Sequence, residues 1–320
     1  MGIAERKISS RVDAATAGLR LDLWLSRRFT YNSRNEWQQH ISDGSILLNG
    51  RKSRSSRIVQ DGETVSFIFK GEEPEADLNY KIEYESDSFI LINKPGNLSC
   101  HPAGHFYKNT LWYPLSEKYG SIYIINRLDR ETSGLVLACR DSKCAALFAN
   151  LFSRENSITK KYIAIVHGRF EGTLSAKGFL MPDRRSAVRK KRIFTEKNDD
   201  NLNDGVETAE TFFSGKCSSR DYSVVEAVPA TGRFHQIRAT LYSLGYPLVG
   251  DKLYGPDENI YIRLSEGKLT TEDMKKLILP RQALHAFHLS FKDPITKKDF
   301  VHEIPPPSDI SPLYNLCNGV

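Results

Sequence analysis

The sequence lacks the marks of several common kinds of protein. Its five cysteines, Cys100, Cys139, Cys144, Cys217 and Cys317, form no CxxC pair and no Cys/His zinc spacing. Its eight histidines include no HExxH, so no metal is expected. Residues 1–10 carry no apolar h-region, and no secretory signal is expected there. The apolar runs are short and broken by charge, which excludes a membrane span. Scattered thiols of this kind are most simply reduced and buried, and the expected compartment is the cytoplasm.

What is present is an ordinary apolar fraction on a 320-residue chain, long enough for one large domain or a large and a small one. The formal charge is +6. Residues 1–70 hold twelve Lys/Arg against seven Asp/Glu, a net of +5, so the other 250 residues are nearly neutral. A basic head on a neutral body fits either an anionic partner or a merely solvated surface.

The head reads as a module. "LRLDLWLSRRF" sets Leu21, Trp24, Leu25 and Phe29 at helical spacing. "RNEWQQHISDG" predicts a second helix with Trp37 and Ile41 four apart, Ser33 as N-cap and Gly44 as its end. "SILLNGRK" predicts a strand into an Asn49-Gly50 turn, and "ETVSFIF" a closing strand. Arg20, Arg27, Arg28, Arg34, Arg51, Lys52, Arg54 and Arg57 surround these elements. The order of elements and the motifs "RLDLWL" and "DGETVSF" resemble the S4-type RNA-binding domain. That resemblance implies that Arg20, Arg27, Arg28, Arg34, Arg51, Lys52 and Arg54 meet RNA, chiefly through phosphate and shape. The acidic, proline-bearing "KGEEPEAD" then predicts a linker over 71–79.

Beyond the linker, strands and helices mix without a strict βαβ repeat, which predicts an α+β domain over 80–320 on a largely antiparallel sheet. The predicted strands are "YKIEYES", "FILINKPG", "KKYIAIVHG" and "YSVVEAVPATG". The predicted helices are "DSKCAALFANLFSR", with Asp141 or Ser142 near its start, and the end of "RFHQIRATLYSLG", stopped by Gly245. "DRRSAVRKKR" (183–192) is basic and reads as a loop, either solvated or in contact with RNA phosphate. "EKNDDNLNDG" (196–205) is an acidic, Asn-rich loop.

"INRLDRETSGLVLACR" (125–140) holds the chemistry. Asp129 stands between Arg127 and Arg130, and Thr132-Ser133-Gly134 reads as a turn between two buried strands. A guanidinium within hydrogen-bond reach lowers an aspartate's pKa by roughly one to three units. That favours the ionised form by about 1.4 to 4 kcal/mol. Such a group is a poor general acid but a competent nucleophile or electrostatic stabiliser. No second carboxylic acid is evident, and Glu131 would point elsewhere. The leaving group should then need no external proton.

These residues carry a second resemblance. "NRLDRETSGLVLACR", "FILINKPGNLSCHP", "KKYIAIVHG", "TGRFHQIRATL", "GDKLYG" and "RQALHAFHLSF" are similar, in order, to the motifs of the RluA family of pseudouridine synthases. The likeness covers roughly residues 80–307. It implies an enzyme that breaks the bond from uracil nitrogen 1 to ribose, turns the base and rejoins it through carbon 5, without a cofactor. Asp129 would be the nucleophile, on the sugar or on the base. Arg238 would pair with Asp129 and hold it ionised. Tyr162 would stack on the uracil and help remove the carbon 5 proton. Arg127 would hold RNA from which the uridine has been swung out.

Two positions depart from the pattern. Asn126 replaces a usual histidine and cannot titrate near neutrality. Phe234 replaces a small polar residue. The expected partner is ribosomal RNA, with transfer RNA as the alternative, and the expected form is a monomer away from membranes. A non-catalytic RNA-binding protein and a base-excising glycosidase are the competing readings; only the latter would release free uracil.

Overall fold

The structure is a computed structural model that describes residues 5–29, 34–70, 73–103, 106–153, 157–197 and 205–318. It divides into two compact units. One comprises residues up to 75 together with 102–108; the other comprises 76–101 and everything from 109 onward.

In the first unit, β1 (Glu5–Arg11), α1 (Leu21–Arg28), α2 (Arg34–Asp43), β2 (Ile46–Leu48), β3 (Arg51–Lys52) and β4 (Thr64–Lys70) follow one another. The strands make an antiparallel sheet in the order β1-β4-β2-β3. Helical spacing puts Leu21, Trp24 and Leu25 on one face of α1, and Trp37 and Ile41 on one face of α2. These five pack with Ile46, Leu48, Val59 and Val65 into one core. Asn49 and Gly50 both have positive φ, 50° and 78°, as a two-residue hairpin turn requires. Gly44 ends α2 at φ 84°. Ser33 lies outside the described residues, so its capping role does too. The opening strand β1 has no counterpart in the sequence reading.

The second unit runs β5 (Lys81–Glu85), β6 (Phe89–Lys94), α3 (Trp112–Tyr119), β7 (Tyr123–Ile124), β8 (Ser133–Cys139), α4 (Ser142–Ser153), β9 (Ile158–His167), β10 (Thr173–Pro182) and β11 (Arg192–Thr195). It continues with β12 (Glu207–Ser218), β13 (Tyr222–Pro229), α5 (Gln236–Ser243), α6 (Asn259–Ser265), α7 (Thr271–Leu277), β14 (Leu284–Lys292), β15 (Asp299–Glu303) and α8 (Ser311–Asn318). One eleven-stranded sheet has the path β11-β10-β12-β13-β9-β14-β8-β6-β5, with β15 on β14 and β7 on β8. Every pair is antiparallel except β14 with β8. The fold is therefore α+β with a largely antiparallel sheet. No helix among the described residues is long and apolar enough to cross a membrane.

Apolar side chains cover both faces of this sheet. Leu241 and Ala239 of α5 join Ala164, Phe213, Val225 and Leu284. Phe148 of α4 joins Phe89, Leu137 and Phe291. Asp141 caps α4, its Oδ1 accepting from the Cys144 amide at 2.8 Å. β8 is buried along its whole length, which fits a central strand covered on both faces.

The Thr132–Gly134 turn needs correcting. Ser133 and Gly134 already belong to β8 and pair in parallel with His285 and Ala286 of β14. The chain instead turns at 129–132, where the Thr132 amide donates to the Asp129 carbonyl at 3.1 Å. Gly134 has φ 119°, and a Cβ there would stand 2.2 Å from the Ala286 carbonyl oxygen. Its role is close strand approach at the parallel pair, not turning. Changing Gly134 to Ala should therefore cost about 2 to 4 kcal/mol of stability, measured by chemical unfolding of the full chain.

Candidate active site

The loop between β7 and β8 carries Asp129, and three cations fix it. Lys94 is wholly buried, and its Nζ donates to the carbonyls of Pro95, Leu98 and Arg130 at 2.8, 2.9 and 3.2 Å. Burial pushes its pKa down to about 8. Arg281 binds Asp309 through two nitrogens and donates to the Glu131 carbonyl at 3.0 Å and to Ser133 Oγ at 3.2 Å. Lys252 holds Glu131 Oε1 at 2.7 Å, so Glu131 is turned to its own partner. Asn126 ties the start of the loop to β8: its Nδ2 donates to the Leu135 carbonyl at 3.1 Å, and its Oδ1 accepts from the Leu137 amide at 2.8 Å. These bonds make Asn126 a backbone clamp.

The guanidinium beside Asp129 comes from far along the chain. Arg238, in the first turn of α5, sets Nη1 2.7 Å from Asp129 Oδ2. Its other face makes a two-point bond to Asp251, Nε to Oδ2 at 2.7 Å and Nη2 to Oδ1 at 3.0 Å. Asp251 is wholly buried and also accepts from the Leu253 and Tyr254 amides, both at 2.9 Å. Gln282 Nε2 donates to Thr132 Oγ1 at 2.6 Å and lies 3.5 Å from Asp129 Oδ2. The flanking Arg127 and Arg130 do not supply this charge. Arg127 is exposed, and Arg130 reaches Glu131 at 3.6 Å.

Burial alone would raise the Asp129 pKa. The positive charges of protonated His235 and of Arg238, with hydrogen bonds from Arg238 and Gln282, instead bring it down to about 2. His235 itself is held down to about 3 by burial and by Arg238. At neutral pH the imidazole is therefore uncharged, and the charge facing Asp129 is that of Arg238. The Asp129 side chain keeps 27% of its surface exposed, against 9% for Arg238. One carboxylate of the trio thus remains reachable.

Tyr162 lies on β9 opposite Ala286 and Ala227 and packs, partly buried, against the apolar clusters to which these two alanines belong. Burial first, and then the charge of Asp129, raise its phenol pKa well above the usual range. The ring is neutral at physiological pH. His235 is buried, with Nδ1 3.0 Å from the Tyr254 hydroxyl and Nε2 3.9 Å from Asp129 Oδ2.

In the first unit, Arg20 and Arg34 turn inward on the buried Asp22, at 3.1 and 2.9 Å, and Gln38 adds a bond at 2.6 Å. Arg28 donates from Nε to Ser10 Oγ at 3.0 Å. Arg27, Arg51, Lys52 and Arg54 are exposed and form no ion pair with another described residue. In the basic stretch 183–192, whose last residue opens β11, Lys191 is buried on Glu258 at 2.7 Å and Arg192 pairs with Glu207 at 2.8 Å, whereas Arg184, Arg185, Arg189 and Lys190 are exposed.

Asp251 and Gln282 were given no role by the sequence reading, and Thr132 only that of a turn residue, although all three sit in the quoted "GDKLYG", "RQALHAFHLSF" and "NRLDRETSGLVLACR". Their motifs were the signal available; that the buried Arg238 needs a second counter-charge shows only in the structure.

Comparison with known proteins agrees with this architecture. The RNA pseudouridylate synthase family model matches residues 88–243, and the S4 domain model matches 19–65. The ribosomal large subunit pseudouridine synthase D of Zymomonas mobilis is 30% identical over 327 residues, covering 93% of this chain and 94% of the relative. The mitochondrial tRNA pseudouridine(32) synthase of Saccharomyces cerevisiae is 30% identical over 243 residues, 74% of this chain and 50% of the relative. The structure of human RNA pseudouridylate synthase domain containing 1 shares the fold, with a TM-score of 0.56 at 22% identity over 75% of this chain and 89% of that one. The chain belongs to the RluA family of RNA pseudouridine synthases, with an S4 domain at its N-terminus. It is an isomerase that acts on RNA.

Asp251 is a positioning residue for Arg238. Changing it to Asn should lower stability by about 3 to 5 kcal/mol, because a buried guanidinium loses one of its two counter-charges. It should also lower kcat on RNA by about 100-fold, since a displacement of about 1 Å at the reacting group has that effect. Thermal unfolding and steady-state kinetics on the same preparation check both.

Proposed function

We propose that Asp129 is the nucleophile that carries uridine through breakage of its bond from nitrogen 1 to ribose carbon 1′. The same ribose carbon then bonds to uracil carbon 5. Carbon 5 loses its proton and nitrogen 1 gains one, so atoms balance without a cofactor. Because the base both leaves and returns, one ionised carboxylate suffices and no paired acid is needed. The observation that carries the reading is the 2.7 Å pair between a partly exposed Asp129 and a buried Arg238 that is anchored on its far side by Asp251.

Tyr162 stacks on the uracil as a neutral phenol. Removal of the carbon 5 proton by its phenolate is opposed by the same burial and by Asp129. The target uridine is swung out of the folded RNA to reach a carboxylate at the base of a loop. Arg127, exposed two residues before Asp129, grips the opened strand.

The substrate we favour is large-subunit ribosomal RNA. Relatives that match over nearly their whole length carry that name, and the S4 domain suits structured RNA. Phosphate contact falls mainly to Arg27, Arg28, Arg51, Lys52 and Arg54. Arg20 and Arg34, engaged by Asp22, contribute through the parts of their side chains that stay exposed, 41% and 47%.

Pseudouridine mapping of total RNA with and without this gene tests the reading. Loss of the mark at one or more ribosomal sites is expected; loss only in transfer RNA would overturn the ribosomal assignment. Asp129→Asn should reduce conversion at those sites by at least about 10³-fold while filter binding to the same RNA persists. Arg238→Lys should lower kcat by about 10²-fold with little change in binding, because an ammonium cannot bridge both carboxylates. Neutralising Arg27, Arg51 and Arg54 together should reduce the slope of log affinity against log salt by about 2 to 3.

A further inference from the structure

We propose that Phe234 is a stacking platform for a nucleobase adjacent to the target uridine. The proposal rests on reading Asp129 as the reacting centre.

Phe234 is 48% exposed. Exposure alone would not single it out, since Phe212 is 44% exposed. Its position does. One face of the ring lies on His235 at 3.7 Å between centroids and 22° between planes. His235 in turn places Nε2 3.9 Å from Asp129 Oδ2. A single buried ring therefore separates the exposed phenyl from the carboxylate.

The backbone that presents Phe234 is firmly held. His235 has φ 58°, a left-handed conformation uncommon for a residue with a Cβ. Gln236 staples the turn before it. Its Oε1 accepts from Thr231 Oγ1 at 2.8 Å and from the Arg233 amide at 2.9 Å, while its Nε2 donates to the Glu210 carbonyl at 3.0 Å and to Thr211 Oγ1 at 2.9 Å. The twist at His235 turns the imidazole inward and leaves the preceding phenyl outside.

The surroundings suit RNA. Arg233 is 41% exposed, although its Nε donates to the Thr208 carbonyl and its Nη1 stands 3.9 Å from Glu207. Lys190 is exposed, with its Nζ 4.4 Å from the Tyr261 ring centroid, and its positive charge is felt at His235. An aromatic face in a cationic neighbourhood is the combination that holds single-stranded bases and their phosphates. Swinging out a uridine unstacks its neighbours, and a fixed phenyl replaces the lost stacking partner of one of them.

The test uses the full chain and total RNA labelled with 5-tritiated uridine, prepared from cells that lack this gene. Tritium release reports the loss of the carbon 5 proton. Phe234→Ala should raise KM about tenfold or more, within the range that one base–aromatic stack supplies. Turnover and its pH profile should stay within about twofold, and Phe234→Trp should restore KM. Irradiating the Asp129→Asn variant bound to the same RNA should attach Phe234 to a nucleotide within one or two positions of the isomerised uridine. That readout leaves Phe234 unchanged and does not depend on the Ala variant folding. An unchanged KM, or cross-links confined to other residues, would overturn the platform. So would a fall in kcat with a shifted pH profile at constant KM, which would mean that the ring only supports His235. Should Asp129→Asn retain turnover while Phe234→Ala still raises KM, the nucleophile assignment fails and the platform stands.

Discussion

A buried arginine shared by two aspartates sets the terms for the rest of the site. Arg238 is desolvated, and that alone would favour losing its proton; Asp251 and Asp129 oppose the loss and hold it cationic. Two carboxylates on one guanidinium leave a net negative charge. Asp251 is sealed from solvent, so the uncompensated charge is available at Asp129. The burial cost is met by pairing and by amide donors to Asp251, as buried charges require. The same pairing, with the hydrogen bond from Gln282, keeps Asp129 ionised and in place at neutral pH, which is what the proposed nucleophile needs.

The fold serves this contact by making distant segments rigid relative to one another. Asp129 and Arg238 are 109 residues apart. The sheet path β13-β9-β14-β8 links β13, which leads into α5, to β8, which follows the Asp129 loop, and Gly134 allows the close parallel approach of β8 to β14. Lys94, Arg281 and Lys252 then fasten the Asp129 loop through carbonyl oxygens and Glu131. These cations act as structural donors to backbone. Asn126 does the same work with an amide, so a residue without a titratable ring meets the geometric need of the loop.

Much of this was legible in the sequence, for physical reasons that also mark where legibility stops. The helices of the first unit follow from the spacing of Leu21, Trp24, Leu25, Trp37 and Ile41, because burial on one face imposes a period. The Asn49-Gly50 turn follows from residues that tolerate positive φ. The expected contact between Asp129 and Arg238 came from an ordered set of motifs, since no local pattern encodes a pairing across 109 residues. Thr132–Gly134 was misread because glycine marks close strand approach as well as turns, and one sequence does not distinguish them. Arg20 and Arg34 read as surface charge, and only the buried Asp22 between them reveals that both also brace the module. Asp251 had a motif but no assigned partner until Arg238 was seen to face two ways.

The most direct test of the central claim is the ionisation of Asp129 itself. Carbon-13 labelling of the aspartate carboxyls, with Asp129→Asn to assign the signal, permits an NMR titration of the folded protein from pH 7 downward. With a pKa near 2, the Asp129 signal should stay at its ionised position down to about pH 4, and replacing Arg238 with Met should bring its midpoint above that value. A wild-type midpoint at or above about pH 4 would contradict the account, because the guanidinium would then not be holding the carboxylate in its charged form.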